Sequence, residues 1–191
     1  EGTLEDRILE SVRARGGLGL VEAELTQQLG QPPAEIKQSV ELLLREGRLH
    51  RVGKSRLITR DRWEEAGLTL GALVLDLERA HPLRYGPQKS EIKSRLDARI
   101  HPELAEAWLQ AEAADGRIFV RGDRLRRSAP ELSLSPEHRR LRERMLEQLR
   151  AAGFSGPSQK ELLDAFGTER DAVEMLGLLA SEESGVRLPG D

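Results

Sequence analysis

The sequence predicts a mainly α-helical fold with short β-hairpins, built from three copies of one small unit. Three equally spaced glycines, Gly47, Gly116 and Gly185, each follow an amphipathic run. After the first two of them comes a short apolar and basic segment with a further glycine, Gly53 or Gly122. A glycine between two short apolar runs is typical of the tight turn of a β-hairpin. Units of this size are near the lower limit for an independent core, so we expect neighbouring units to support each other.

Each copy also contains helical patterns upstream of its hairpin. Leu4, Ile8 and Val12 share one face of a predicted helix, and similar spacings recur from Leu70 and from Leu141. Three helices followed by a β-hairpin, the wing, form the winged-helix arrangement of the helix-turn-helix class. We therefore predict a tandem array of three winged-helix (helix-turn-helix plus wing) domains. Their predicted bounds are 1–60, 61–128 and 129–191, the last with an incomplete or terminal wing.

Local signals mark where several helices begin. Ser135 stands before Pro136, which places an N-cap residue ahead of proline at the first helical position. Ser158 and Glu161 have the spacing of a capping box. Residues 61–80 are predicted to form one long helix that leads into the second domain.

The composition excludes several classes of protein. The chain has no cysteine, which rules out disulfides, thiolate metal sites and cysteine nucleophiles. Its four histidines are scattered without metal-ligand spacing, so we expect no metal site. The chain has no membrane-length apolar run and no secretory signal pattern, so we expect a cytoplasmic protein that does not bind membranes. We also expect it to be a monomer. No catalytic constellation is visible, so we expect neither enzymatic activity nor a cofactor in this chain.

One short run resembles the end of a nucleotide-binding loop. Gly53, Lys54 and Ser55 match the last residues of a P-loop, but Arg48 stands where the motif requires its first glycine. The surrounding pattern is strand, turn and strand, whereas a P-loop leads from a strand into a helix. The run is therefore predicted to be a wing turn.

The predicted third helices are acidic. The segment 101–115 carries Glu103, Glu106, Glu112 and Asp115 and no lysine or arginine. A helix that reads the major groove of DNA normally carries basic or amide side chains, and carboxylates are repelled by phosphates. These helices are expected to be poor DNA readers. Solvent-exposed faces or contacts with proteins explain them better.

The hairpins, in contrast, are basic, although the whole chain has a net charge of −3. Cations on a wing can lie along a phosphate backbone, each contributing to the salt dependence of binding. Charges on short edge strands also discourage edge-to-edge pairing, and strand alternation sends only half of them to one face. Both interpretations stay open on the residues alone. The candidate nucleic-acid contacts are Arg48, Arg51, Lys54, Arg56, Arg60, Arg121, Arg124, Arg126 and Arg127.

A family resemblance follows from the middle of the chain. The run from His81 to Leu96, which begins His-Pro-Leu-Arg-Tyr-Gly, resembles the entry to the second winged helix in the carboxy-terminal part of SelB, the selenocysteine-specific translation elongation factor. Further similar segments follow in matching order over nearly the whole chain. They are Gly116-Arg117-Ile118, Leu134-Ser135-Pro136 and Pro157-Ser158-Gln159-Lys160-Glu161-Leu162.

The resemblance implies a string of winged helices that follows an elongation-factor-like GTPase. Members of the family deliver selenocysteyl-tRNA to the ribosome, and the string tethers the factor to a messenger-RNA hairpin beside a UGA codon. In the family a fourth winged helix grips that hairpin, and its principal RNA-binding positions have no counterpart here. The chain then resembles a fragment or truncated form that acts as a spacer. Its wings are expected to make secondary RNA or ribosome contacts, while GTP and the tRNA bind elsewhere in the parent protein.

Two other functions remain open on the residues. One is a winged-helix DNA-binding transcription regulator, which would normally dimerise and present one or two reading helices. Three acidic helices in a row do not fit that pattern well. The other is a protein–protein scaffold that binds its partners through the acidic helices.

Overall fold

The computed structural model describes residues 2–129, 131–151, 159–166 and 170–181, which are mainly helical with two small antiparallel sheets. The predicted class, mainly α with short β-hairpins, is confirmed. In chain order the elements are α1 (Leu4–Ala14), a 3₁₀ turn (Gly16–Leu18), β1 (Leu20–Val21), α2 (Glu22–Leu29), α3 (Pro33–Arg45), β2 (Leu49–Val52), β3 (Arg56–Thr59), α4 (Arg60–Ala80), α5 (Lys89–Ser94), α6 (Pro102–Ala114), β4 (Phe119–Arg121), β5 (Arg124–Arg126), α7 (Pro136–Ala151), α8 (Gln159–Phe166) and α9 (Arg170–Ser181).

These elements group into two compact units. Unit 1 contains residues 1–76 and 87–128, and unit 2 contains residues 77–86 together with the described residues of 129–191. Unit 1 thus holds two trios of helices, each followed by a two-stranded wing. The division into three winged-helix domains at 1–60, 61–128 and 129–191 stays a prediction.

The first trio and its wing share one apolar core in unit 1. The sheet has the antiparallel order β1-β3-β2, with Leu57 of β3 opposite both Leu20 and Arg51. Of the residues predicted to share a face of α1, Ile8 and Val12 are buried and Leu4 is half-buried against the same core. Each fully buried aliphatic side chain contributes about 1.5–3 kcal/mol when it leaves water. The core consists of Ile8, Leu9, Val12, Leu20, Leu25, Ile36, Val40, Leu43, Leu49 and Leu57.

Left-handed glycines end the third helix of each trio in unit 1 and form the wing turns. The φ angle is 68° at Gly47 and 71° at Gly116, each one residue beyond the C-cap of α3 or α6. It is 58° at Gly53 and 61° at Gly122, between the paired strands. Glycine adopts this conformation without the steric cost that a Cβ would bring. Both predicted hairpins are therefore confirmed, while Gly185 lies outside the described residues.

Other predicted boundaries can be compared with the structure in the same way. Ser135 caps α7, because its Oγ accepts a hydrogen bond from the backbone N of His138 at 3.2 Å. The long helix predicted for residues 61–80 is present as α4. Ser158 of the predicted capping box lies outside the described residues. Within the described ranges, no helix combines the length and the apolar composition needed to cross a membrane.

The second trio consists of α4, α5 and α6, and α6 packs tightly against α4. Trp108 of α6 is 5% exposed, and a Cβ added to Gly67 of α4 would lie 2.6 Å from its Nε1. Backbone hydrogen bonds join the start of α5 to the second wing, from Leu125 N to Pro87 O at 2.9 Å and from Lys89 N to the carbonyl of Asp123 at 3.1 Å. Trp108 is therefore a packing residue of this trio.

The two trios of unit 1 also meet at a loop. His101 donates a backbone hydrogen bond to the carbonyl of Gly17 at 3.0 Å. A Cβ added to Gly17 would lie 2.6 Å from the carbonyl oxygen of Arg99, closer than real Cβ contacts come. This approach of two backbones requires glycine at position 17.

Unit 2 is built around an apolar core that includes Leu83, Met145, Met175 and Leu176. A buried carboxylate, that of Glu174, lies beside it and is 5% exposed at its side chain.

One oxygen of that carboxylate contacts three polar side chains. Glu174 Oε1 lies 2.7 Å from His81 Nδ1, 3.2 Å from Arg170 Nε and 3.4 Å from Arg84 Nε. Burial alone would raise the pKa of Glu174, but the hydrogen bonds from His81 and Arg170 and the charge of Arg84 outweigh it and lower the pKa. The ionised form is therefore the one that stabilises unit 2.

We predict that Gly17→Ala destabilises unit 1 by about 1–3 kcal/mol, because the backbones must move apart to admit the methyl group. Both tryptophans of the chain, Trp63 and Trp108, lie in unit 1, so their fluorescence during urea unfolding reports this unit. As a control, Gly177→Ala in α9 meets no atom within 4 Å and should stabilise the protein by about 0.5–1 kcal/mol in circular dichroism. An unchanged fluorescence midpoint for Gly17→Ala would contradict the close approach.

We predict that Glu174→Gln destabilises unit 2 by about 1–2 kcal/mol at neutral pH, because the charged hydrogen bonds are lost while the shape is kept. A lowered folded-state pKa means that this stabilisation is complete above the ordinary carboxyl pKa of 4.5 and is lost as pH falls through the lower folded value. Urea unfolding of both proteins, followed by circular dichroism at stepwise lower pH, should show the difference shrinking. The exposed Glu147→Gln serves as the control and should show little difference at any pH.

Candidate nucleic-acid interface

The two wings of unit 1 carry the predicted nucleic-acid contacts, and the fold gives these cations different surroundings. In the first wing, β2 and β3 are joined by Gly53, Lys54 and Ser55. In the second, β4 and β5 are joined by Gly122 and Asp123. Each wing follows directly from the acidic third helix of its trio.

Arg51 of the first wing is held by two carboxylates of its own trio. Its Nη2 lies 2.9 Å from an oxygen of Glu22 and 2.9 Å from an oxygen of Glu41. Burial alone would lower the pKa of Arg51, but the hydrogen bonds to Glu41 and Glu22 raise it above its usual value. This guanidinium is engaged within the fold.

Arg56 joins the first wing to the second trio. Its Nε donates to Glu103 of α6 at 3.2 Å and its Nη1 to the carbonyl of Leu18 at 2.8 Å, and the side chain is only 18% exposed. A Cβ on Gly53 would come within 2.8 Å of the Glu103 carboxyl group. The wing turn and the start of α6 are therefore in contact.

The remaining cations of the first wing are more accessible. Arg48 lies 3.4 Å from Glu46 and 3.7 Å from Asp6, and its side chain is about half exposed. Arg60, 68% exposed, pairs with Glu64 one helical turn further on. Lys54 at the tip is exposed and makes no ion pair with the described residues.

The second wing combines exposed and half-buried cations. Arg121 is exposed at the end of β4, whereas Arg124 and Arg126 of β5 are half-buried. Arg127 lies over the ring of Trp108, 5.5 Å from its centroid, in a cation–π arrangement. It is also 3.8 Å from a carboxylate oxygen of Glu112.

The acidic helices supply many of the partners for these cations. Glu112 of α6 accepts from Arg117 at 2.6 Å, and Glu106 lies 3.2 Å from Lys93 of α5, which lowers the pKa of Glu106. Together with Glu41 and Glu103, these contacts show that the carboxylates neutralise basic groups of their own unit. The sequence led us to expect solvated faces or protein contacts, because ion pairs between distant segments leave no pattern in it.

Trp63 and His50 also meet beside the first wing. Their rings stack with centroids 4.9 Å apart and an angle of 18°. Burial and the charge of Arg60 lower the pKa of His50, so its ring favours the neutral form. Among the described residues, no group of three potential ligands is placed to hold a metal ion.

Sequence reasoning missed a second group of cations in unit 1. Arg13, Arg15, Arg62 and Arg99 line one cavity of about 400 Å³, which we call the arginine groove. They come from the end of α1, the start of α4 and the loop before α6, segments far apart in sequence. Only the tertiary fold brings them together, so no local motif could have indicated them.

Comparison with known proteins bears on the family. Residues 79–127 match the family model described as "Elongation factor SelB, winged helix". A curated protein named selenocysteine-specific elongation factor, from Desulfomicrobium baculatum, is 27% identical over 193 aligned residues, covering 94% of this chain and 29% of the relative. The resemblance to the winged-helix region of SelB is confirmed.

The chain therefore spans less than a third of the length of the SelB relative that it matches. Among solved structures, the mRNA-binding domain of elongation factor SelB from E. coli in complex with SECIS RNA is similar, with a TM-score of 0.47 and 16% identity. That match covers 65% of this chain and 97% of the other. The winged helix of SelB matched by residues 79–127 is a non-catalytic domain.

We predict that Arg56→Ala destabilises unit 1 by about 1–3 kcal/mol, because it leaves Glu103 and the carbonyl of Leu18 without their charged donor. Arg60→Ala is the matched control from the same wing. Its exposed pair with Glu64 should contribute at most about 0.5 kcal/mol. Urea unfolding followed by tryptophan fluorescence measures both, and equal effects would argue against the wing–helix contact.

Proposed function

We propose that this chain is a non-catalytic, RNA- and ribosome-associated winged-helix array of a selenocysteine-specific elongation factor. It links the region of the factor that binds GTP and delivers selenocysteyl-tRNA to the recognition of a messenger-RNA hairpin during UGA recoding. The observation that carries the proposal is the alignment with a selenocysteine-specific elongation factor over 94% of the chain. The match of residues 79–127 to a SelB winged helix agrees with it.

The charges of unit 1 favour contact through the wings. Lys54 and Arg121 are exposed at the two wings, where a phosphate backbone can approach them. The third helix of the second trio lacks such groups: α6 contains no lysine or arginine, and its carboxylates are paired within the unit. A helix of this charge in a DNA groove would be repelled at each turn.

Contacts of this kind position an RNA without reading its sequence. Phosphate contacts by lysine and arginine give binding that weakens steeply with salt, whereas sequence is read from base edges. In this proposal the chain holds the RNA and the factor in register, and another region of the parent protein distinguishes the hairpin. The contribution of the chain is therefore electrostatic.

We predict that the protein binds an RNA stem-loop weakly, with an affinity that falls steeply as potassium chloride is raised. Lys54→Ala combined with Arg121→Ala should reduce the slope of log K against log salt by about 1–2, since each phosphate contact contributes about 0.7–0.9. Fluorescence anisotropy of a labelled stem-loop measures the slope. A duplex DNA of equal length should bind no more tightly than the RNA.

The matched control is Lys37→Ala with Arg45→Ala, which removes the same charge from α3. These residues are exposed on the third helix of the first trio, and their loss should leave the slope unchanged. If this control weakens binding and duplex DNA is preferred, the protein is a DNA-binding regulator. If neither nucleic acid binds, the acidic helices become the candidate surface of a protein scaffold.

A further inference from the structure

The arginine groove has the composition of an anion site. Its lining includes Arg13, Arg15, Arg62 and Arg99 but only two acidic residues, Glu65 and Asp97. The whole chain, by comparison, has more acidic than basic residues. Its volume of about 400 Å³ falls in the range of sites for small ligands, enough for a phosphate with its sugar.

Each of these arginines is oriented by a carboxylate. That contact uses only some of the N–H donors of the guanidinium. Arg13 donates through Nε to Asp61 at 3.3 Å, and Arg15 through Nη2 to Glu24 at 3.0 Å. Neither carboxylate lines the groove. A guanidinium has five N–H donors, so most donors of both side chains remain for a ligand.

The other two arginines are held in the same way. Arg62 pairs through Nη1 with Glu65 at 2.5 Å, while its buried Nε has no hydrogen-bond partner among the described residues. Arg99 donates to Asp97 through Nε and Nη2, at 3.0 and 2.6 Å, and its Nη1 is not used in that contact. A guanidinium that is already oriented loses less conformational entropy when it binds.

The wall of the groove is fixed by backbone contacts. Gly17 and Arg99 approach closely enough to exclude any Cβ at position 17, and His101 donates to the carbonyl of Gly17. Gly16 has a φ of 58°, which favours glycine. Arg15 and Arg99 therefore stand on two segments joined at one point, and the spacing between their stems is set by the fold.

We propose that the arginine groove binds phosphate groups of an RNA backbone, as a second RNA contact distinct from the wings. Planar guanidinium forks match the geometry of phosphate oxygens, which accept several N–H donors at once. This inference rests on the proposed function, because RNA is the polyanion that the function supplies. The two carboxylates that line the groove limit how strongly it binds phosphate. Asp97, for example, competes with phosphate for Arg99.

Because Asp97 competes for Arg99, removing its charge should tighten RNA binding. A variant that merely damaged the fold would weaken binding instead. The hydrogen bonds from Arg99 hold the pKa of Asp97 at about 2, so it stays ionised at neutral pH. Asp97→Asn removes the charge but keeps an oxygen that can accept from the backbone N of Arg99, as Asp97 does at 2.9 Å. Arg99 is then released to the ligand, and binding should tighten.

The test is the salt dependence of binding of a labelled RNA stem-loop, measured by anisotropy for four proteins. The double variant Arg15→Ala with Arg99→Ala should make the fall of log K with log salt shallower by about 1–2 in slope. Asp97→Asn should raise the affinity for the RNA several-fold. Lys37→Ala with Arg45→Ala removes equal charge elsewhere and should match the unchanged protein. The side chains of Arg15 and Arg99 are 52% and 88% exposed, so their removal should leave the fold intact. Tryptophan fluorescence during urea unfolding checks that the double variant is folded.

The remaining outcomes separate this inference from the proposed function. If the groove variant binds RNA with an unchanged slope while Lys54→Ala with Arg121→Ala reduces it, the groove assignment is overturned and the wing contact stands. If the unchanged protein binds no RNA, both are overturned. Inorganic pyrophosphate is the second probe: if it binds and depends on Arg15 and Arg99 while RNA binding does not, the groove holds a free anion and the assignment to RNA is overturned.

Discussion

Ion pairing between the first wing and the acidic helices of unit 1 limits what this surface can bind. Arg51 is held between Glu22 and Glu41, and Arg56 reaches Glu103 of the second trio. Leaving such a partly buried carboxylate or guanidinium without its partner costs more than an exposed pair contributes. The basic wing and the acidic helices therefore neutralise each other at these contacts, and fewer cations remain for a ligand than the sequence contains.

The same unit depends on close approaches of the backbone. Glycine stands at position 17 beside Arg99, at position 53 beside Glu103 and at position 67 beside Trp108. At positions 17 and 67 a side chain would push apart segments that are distant in sequence, whereas at position 53 it would displace the Glu103 carboxylate that pairs with Arg56. The arginine groove and the contact between the first wing and α6 both adjoin such a point, so their geometry follows from backbone packing as much as from charge.

The run that resembles SelB has different roles along its length. His81, Arg84 and Leu83 contribute to unit 2, through the carboxylate of Glu174 and the apolar core. From Pro87 onward the chain belongs to unit 1, where it pairs with the second wing. The residues of this run therefore contribute to the polar contacts and the core of unit 2 and to the hydrogen bonds of unit 1.

The sequence by itself determined the local structure of this protein: the amphipathic helices, the glycines that end them, the wing turns at Gly53 and Gly122, and the cap at Ser135. These features depend on residues within one or two helical turns, whose spacing is visible in the chain. The sequence also located the basic wings and supported the family resemblance. Only the tertiary structure decided which cations are engaged by carboxylates, as Arg56 is by Glu103, and that Arg13, Arg15, Arg62 and Arg99 share one groove. Side chains from segments far apart meet only when the core forms, and hydrophobic periodicity specifies which faces are buried without specifying which charges come to lie beside each other.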